Sequence, residues 1–122
     1  MAINPTDFQA YIAGARQRQQ QKQIMLDDRY ALLQAVAQQG AALLKTDFAV
    51  SRVWLFGSAL RRDRIHAESD VDLAVQGLEE AQYLRAVGRL LDLHGGVSID
   101  LVMIEDASTS LRDRIMLEGK EL

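Results

Sequence analysis

Two aspartates one residue apart, Asp70 and Asp72, lie in the run Ser69-Asp70-Val71-Asp72-Leu73. In a β-strand residues i and i+2 share a face, so both carboxylates project together while Val71 and Leu73 project the other way. Neighbouring carboxylates repel one another and are rarely buried without a partner, so positive charge belongs between them. Asp100, embedded in the apolar segment Val97 to Ile104, is a third strand-borne carboxylate. It joins the pair if the two strands are neighbours with matching faces. With no His or Cys beside them, three such acids suit Mg²⁺ or Mn²⁺ rather than zinc.

Upstream, the apolar run Val53-Trp54-Leu55-Phe56 ends in Gly57-Ser58. Glycine lets backbone approach a ligand closely, and amides at such a turn favour anionic oxygens. A phosphate-cradling turn beside an acidic, metal-binding pair is the equipment of phosphoryl or nucleotidyl transfer. Asp100, outside the close pair, is the group expected to accept a proton from an attacking hydroxyl, and Arg61 to steady the phosphate tail. Arg62 and Arg64 read as surface charges. His66 and His94 lack a second His at ligand spacing and read as structural or solvent-facing.

The elements that must position these residues follow from periodicity. Asn4-Pro5-Thr6-Asp7 is a helix start, with Phe8, Tyr11, Ile12 and Ala15 at helical spacing. The glutamine-rich run from Arg16 to Gln23 is compatible with helix but offers no face to bury. A second amphipathic helix is expected from a cap at Asp27 or Asp28 to about Lys45, with Gly40 a soft point inside it; the residues leave its continuity with the first open. Strands are expected at Val50–Phe56, Val71–Gln76 and Val97–Ile104, and helices at Glu79–Leu93 and from a cap at Asp106 or Ser108 to Gly119. Trp54 and Phe56 read as core. The result is an α/β domain with one small sheet.

Composition sets the outer bounds. At 122 residues, 48% apolar and 25% charged, the chain makes one ordinary globular core. A net charge of -3 argues against a general nucleic-acid or membrane surface binder. There is no cysteine, which excludes disulfides and thiolate metal sites. The start, Met1-Ala2-Ile3-Asn4-Pro5, lacks the features of a signal peptide, and no apolar stretch approaches the roughly 20 residues that span a bilayer. A cytoplasmic location is the expectation.

Gly57-Ser58 with Arg61 and Asp63, then Ser69-Asp70-Val71-Asp72-Leu73, resembles the signature of the nucleotidyltransferase superfamily with the DNA-polymerase-β-type fold. The strand Ile99-Asp100-Leu101-Val102 and the closing Arg114-Ile115-Met116-Leu117-Glu118-Gly119 resemble its minimal nucleotidyltransferase (MNT) branch. The likeness covers about residues 50–119. It implies a small mixed sheet flanked by helices, with residues 1–46 an N-terminal helical extension packed on a core of residues 47–122. It also implies ATP and Mg²⁺ (or Mn²⁺) and transfer of AMP. Asp70, Asp72 and Asp100 fall on the family's metal-binding and catalytic acids, and Gly57, Ser58, Arg61 and Ser69 on nucleotide-contacting positions. Eleven residues separate Ser58 from Asp70, where the usual pattern has ten. Ala59 and Arg62 stand where relatives often carry arginine and glycine.

Family members of this kind are antitoxins of HEPN-domain ribonuclease toxins, and characterised ones AMPylate a tyrosine of the toxin. The resemblance therefore implies a HEPN partner. Little chain remains for a separate acceptor-binding domain, which suits a partner that presents its own hydroxyl. Two other readings stay open: neutralisation by binding alone, through the amphipathic N-terminal helices, and transfer to a small molecule such as an aminoglycoside.

Overall fold

The computed structural model describes residues 4–122, so Met1 to Ile3 of the stretch compared with a signal peptide lie outside the described residues. The chain opens with a single helix, α1 (Pro5–Phe48). Asn4 caps it by accepting from the Thr6 amide at 2.8 Å, and Pro5 occupies its first turn, where no backbone donor is needed. At 44 residues it is about 66 Å long. Two helices do not form. Gln, Arg and Lys between residues 16 and 23 are good helix formers, and nothing there terminates the helix. Asp27 caps nothing; it pairs with Arg62 instead. The helix also crosses the boundary expected at residue 46 without a break.

The buried residues of α1, Leu33, Val36, Ala37, Gly40, Ala41 and Leu44, all lie in its second half, with Leu26 and Tyr30 packed beside them at the edge of the core. Gly40 is a point of close approach rather than a soft point. A Cβ there would lie 3.1 Å from Leu73 Cδ1 and 3.3 Å from Leu90 Cδ2. The helix stops at Ala49, whose left-handed φ of 54° turns its amide back onto the Leu44 carbonyl.

The remaining elements are β1 (Arg52–Phe56), 3₁₀ turns at Gly57–Leu60 and Arg62–Arg64, β2 (Val71–Gln76), α2 (Tyr83–Leu91), β3 (Ile99–Met103), α3 (Thr109–Glu118) and the short β4 (Lys120–Glu121). α2 is shorter than the expected Glu79–Leu93, because its first turn, Glu80–Gln82, is 3₁₀. β4 went unread, since two charged residues carry no strand periodicity. The sheet order is β3-β2-β1-β4. β1 pairs antiparallel with β2 and β4, while β2 and β3 run parallel, joined by α2 as a parallel pair requires. The sheet is therefore mixed.

Alternation divides the strands between two layers. Val53, Leu55, Val71, Leu73, Val75, Ile99 and Leu101 face the cluster built with α1 and α2. Trp54 and Ala74 face the opposite way, onto Ile104 and Ile115. Both faces of the sheet are thus covered. Asp72, between Val71 and Leu73, belongs to the side of α3. Among the described residues no helix is long and apolar enough to cross a membrane.

Candidate active site

The parallel register of β2 and β3 sets Asp72 directly opposite Asp100, while β1 sets Phe56 opposite Asp72 on its other side. The chain then turns at Gly57, whose φ of +78° is a left-handed conformation glycine adopts without strain. The site also requires glycine for a second reason. A Cβ at Gly57 would collide with Asp72 Oδ2. Absence of that one carbon lets the backbone lie against the carboxylate, and the turn Gly57–Leu60 begins there.

Asp72 is half-buried, and its pKa is pushed up to about 6. Burial is the largest cause, followed by the charge of Asp100, a hydrogen bond with Asp100, and the charge of Asp70. Packing carboxylates this closely without a counter-charge makes ionisation unfavourable. A bound cation would relieve it.

Asp70 stands one residue before β2 and is held differently. Its Oδ1 accepts from the Ser98 amide at 3.1 Å and lies 3.4 Å from Arg29 Nη2. Among the described residues no three His, Cys, Asp or Glu side chains form a ready metal cage. Asp72 and Asp100 fit a hard divalent cation by donor type and by mutual repulsion. Asp70 joins them through its charge, with one oxygen committed to Ser98.

A cleft of about 570 Å³ opens beside Asp72, lined by Phe56, Gly57, Ser58, Leu60, Arg64, Leu111, Arg114 and Glu118. That volume lies within the range of small-ligand sites. Leu111, Arg114 and Glu118 recur at helical spacing and present one face of α3 to the cleft. Arg64, read from the sequence as a surface charge, is exposed and also lines the cleft. Arg114 was noticed only as part of the closing motif; its i+3 spacing from Leu111 was the available signal.

The other expected contacts are placed elsewhere. Arg61 binds Asp63 through two hydrogen bonds of 3.0 and 2.7 Å, and borders a separate depression with Arg62, Asp27 and Gln23. Ser69 is buried, and its hydroxyl accepts from the His66 amide at 2.9 Å, closing the loop that delivers Asp70. The structure therefore brings together Gly57, Ser58, Asp72 and Asp100, with Asp70 at the margin. It does not bring Arg61 into the cleft.

Ala59 and Arg62 both contact α1. Ala59 is fully buried, and its carbonyl accepts from Gln34 at 2.6 Å. Arg62 ion-pairs with Asp27 and donates to Gln23 Oε1 at 3.0 Å. Both positions dock the turn on the helix.

A family model described as polymerase beta nucleotidyltransferase matches residues 38–122. No curated protein matches the chain. Among solved structures, a protein assigned as a minimal nucleotidyltransferase is similar at 28% identity and a TM-score of 0.57, over 80% of this chain and 95% of that one. A toxin–antitoxin structure with AMP-PNP matches at 26% identity and a TM-score of 0.56, over 68% of this chain and 69% of that one. A complex of tri-AMPylated Shewanella oneidensis HEPN toxin with MNT antitoxin shares the fold at 24% identity and a TM-score of 0.55, over 73% of this chain and 70% of that one. The sheet order, the glycine pressed against a strand aspartate and the match over more than half the chain have one explanation: this chain belongs to the polymerase-β nucleotidyltransferase family, in its minimal branch.

Proposed function

We propose that this chain is an antitoxin that transfers AMP from ATP to a hydroxyl, that of a tyrosine, on a HEPN ribonuclease toxin. The observation that carries the reading is Asp72 in register with Asp100, beside the Gly57–Ser58 turn, at the wall of a cleft holding two arginines. The likeness to structures described as toxin–antitoxin complexes, one with AMP-PNP, supports both nucleotide and partner.

In this reading the turn amides at Gly57 and Ser58 face the triphosphate, and Arg64 and Arg114 offset its charge, a role taken from Arg61. Mg²⁺ or Mn²⁺ held by Asp72, Asp100 and Asp70 would neutralise the phosphates and the leaving pyrophosphate. Asp100 takes the proton from the acceptor hydroxyl. The hydroxyl oxygen bonds to the α-phosphorus, the bond from that phosphorus to the bridging oxygen breaks, and pyrophosphate leaves with the electron pair.

The test is transfer of label from α-³²P-ATP to the cognate HEPN protein in the presence of Mg²⁺. Wild type is expected to label it, and Asp72→Asn or Asp100→Asn to lower the rate at least about a hundredfold. Absence of labelling by a folded wild type overturns the transferase role.

One observation favours a second reading, neutralisation by contact alone. The guanidinium of Arg29 lies against Asp70, where a cation would otherwise be the counter-charge. Toxin inhibition that survives Asp72→Asn would select it.

A further inference from the structure

Arg29 lies on α1, outside the matched family segment and far in sequence from any motif. Its side chain is only 17% exposed and bridges two loops. Nε and Nη2 donate to the Ser69 carbonyl at 3.0 and 2.7 Å, and Nη1 donates to the Gly96 carbonyl at 2.9 Å. Those carbonyls lie in the segments that enter β2 and β3, the two strands bearing the acids. The 3.4 Å contact to Asp70 Oδ1 is the longest of the set, and the Ser98 amide holds the same oxygen. The guanidinium therefore acts first as a brace between loops and only second as a partner for the carboxylate. A planar fork with several donors suits this geometry, and an ammonium group cannot reproduce it.

We propose that Arg29 is a positioning residue for the metal-binding acids. By clamping the Ser69 and Gly96 carbonyls it fixes Asp70 against Ser98, commits Oδ1, and leaves Oδ2 as the oxygen presented for a cation. The inference rests on the proposed nucleotidyltransferase reading of Asp70, Asp72 and Asp100. It extends the site to a part of α1 outside the matched family segment, and makes α1 a determinant of metal affinity.

The test uses the full chain with Arg29→Lys and Arg29→Gln, and Asp70→Asn as control. Two quantities are read: Mn²⁺ affinity, by electron paramagnetic resonance titration with the metal alone, and hydrogen exchange of the Ser98 amide. Both Arg29 variants are expected to speed Ser98 exchange and to weaken Mn²⁺ binding about tenfold, as loss of a group that orients a metal ligand does. In transfer assays higher metal concentration should recover their rate, with KM for the toxin unchanged. Faster Ser98 exchange with wild-type Mn²⁺ affinity makes Arg29 a structural brace alone and overturns the proposal. Tighter Mn²⁺ binding in Arg29→Gln also overturns it, because Arg29 would then be a competitor. If wild type binds no Mn²⁺, the metal-site reading itself fails, and this inference with it.

Discussion

At the scale of residues, Gly57 and Asp72 form a single unit. The collision that any Cβ at Gly57 would make, together with its φ of +78°, predicts that Gly57→Ala costs roughly 1–3 kcal/mol of stability. It should also disturb Asp72, so chemical denaturation and transfer assays should report loss together. The raised pKa of Asp72 has a definite sign in stability. The native state holds a proton that the unfolded chain has released between pH 3.8 and about 6. The associated stability is therefore full below the lower value and lost as pH rises through the upper one. In metal-free protein, melting temperature should fall across that window more steeply for wild type than for Asp72→Asn. Mg²⁺ added at pH 7.5 should raise melting temperature more for wild type than for the variant. Equal slopes in both proteins would contradict the electrostatic account of the site. Strand alternation is a local rule, so the facing pair Asp72 and Asp100 was open to a reading from sequence, whereas Asp70, one residue before β2, is held by Ser98 and Arg29 instead. The arginines were not legible, because which guanidinium enters the cleft depends on where α3 and the loop settle. Arg61 sits in the motif yet finds Asp63 two residues away; Arg64, three residues on, reaches the cleft.

Among elements, α1 departs furthest from its reading in sequence. The start at Asn4-Pro5, the strand Val71–Gln76 and a cap at one of the two candidates, Ser108 rather than Asp106, followed from local rules and are found in the structure. The continuity of α1 did not follow, because a polar helical stretch and a joint between helices have the same composition. Gly40 was misread for a related reason. Glycine inside a helix looks weak until the neighbouring sheet is known, and here Leu73 and Leu90 fill the place of its side chain. Gly40→Leu should therefore destabilise by about 1–3 kcal/mol through overpacking, although leucine is the better helix former. Urea denaturation measures this; a neutral or stabilised variant would show that α1 does not press on the sheet. Leu33→Ala, at a fully buried α1 position, should cost about 2–5 kcal/mol in the same experiment.

Over the whole molecule, one half of α1 belongs to the domain and the other half projects from it. Its core contacts begin at Leu26 and its buried residues at Leu33, while Phe8, Tyr11, Ile24 and Met25 are exposed. Removing residues 1–20 should leave melting temperature within about 2 °C of the full chain, since surface changes cost little. The tethers to the segment between β1 and β2 through Gln23, Asp27, Arg29 and Gln34 would remain. No spacing rule connects those residues with Ala59, Arg62 or Ser69, so this coupling was invisible until the fold placed the helix over the loop. The small sheet, by contrast, was legible as a class because apolar runs, turn residues and short connections admit few arrangements. The central claim is that these parts make a transferase, and intact-mass spectrometry of the cognate HEPN protein tests it most directly. After incubation with this chain, ATP and Mg²⁺, the partner's mass should rise by whole AMP units, and by none with Asp72→Asn. An unchanged partner mass, with folded wild type and ribonuclease activity still blocked, would contradict the account.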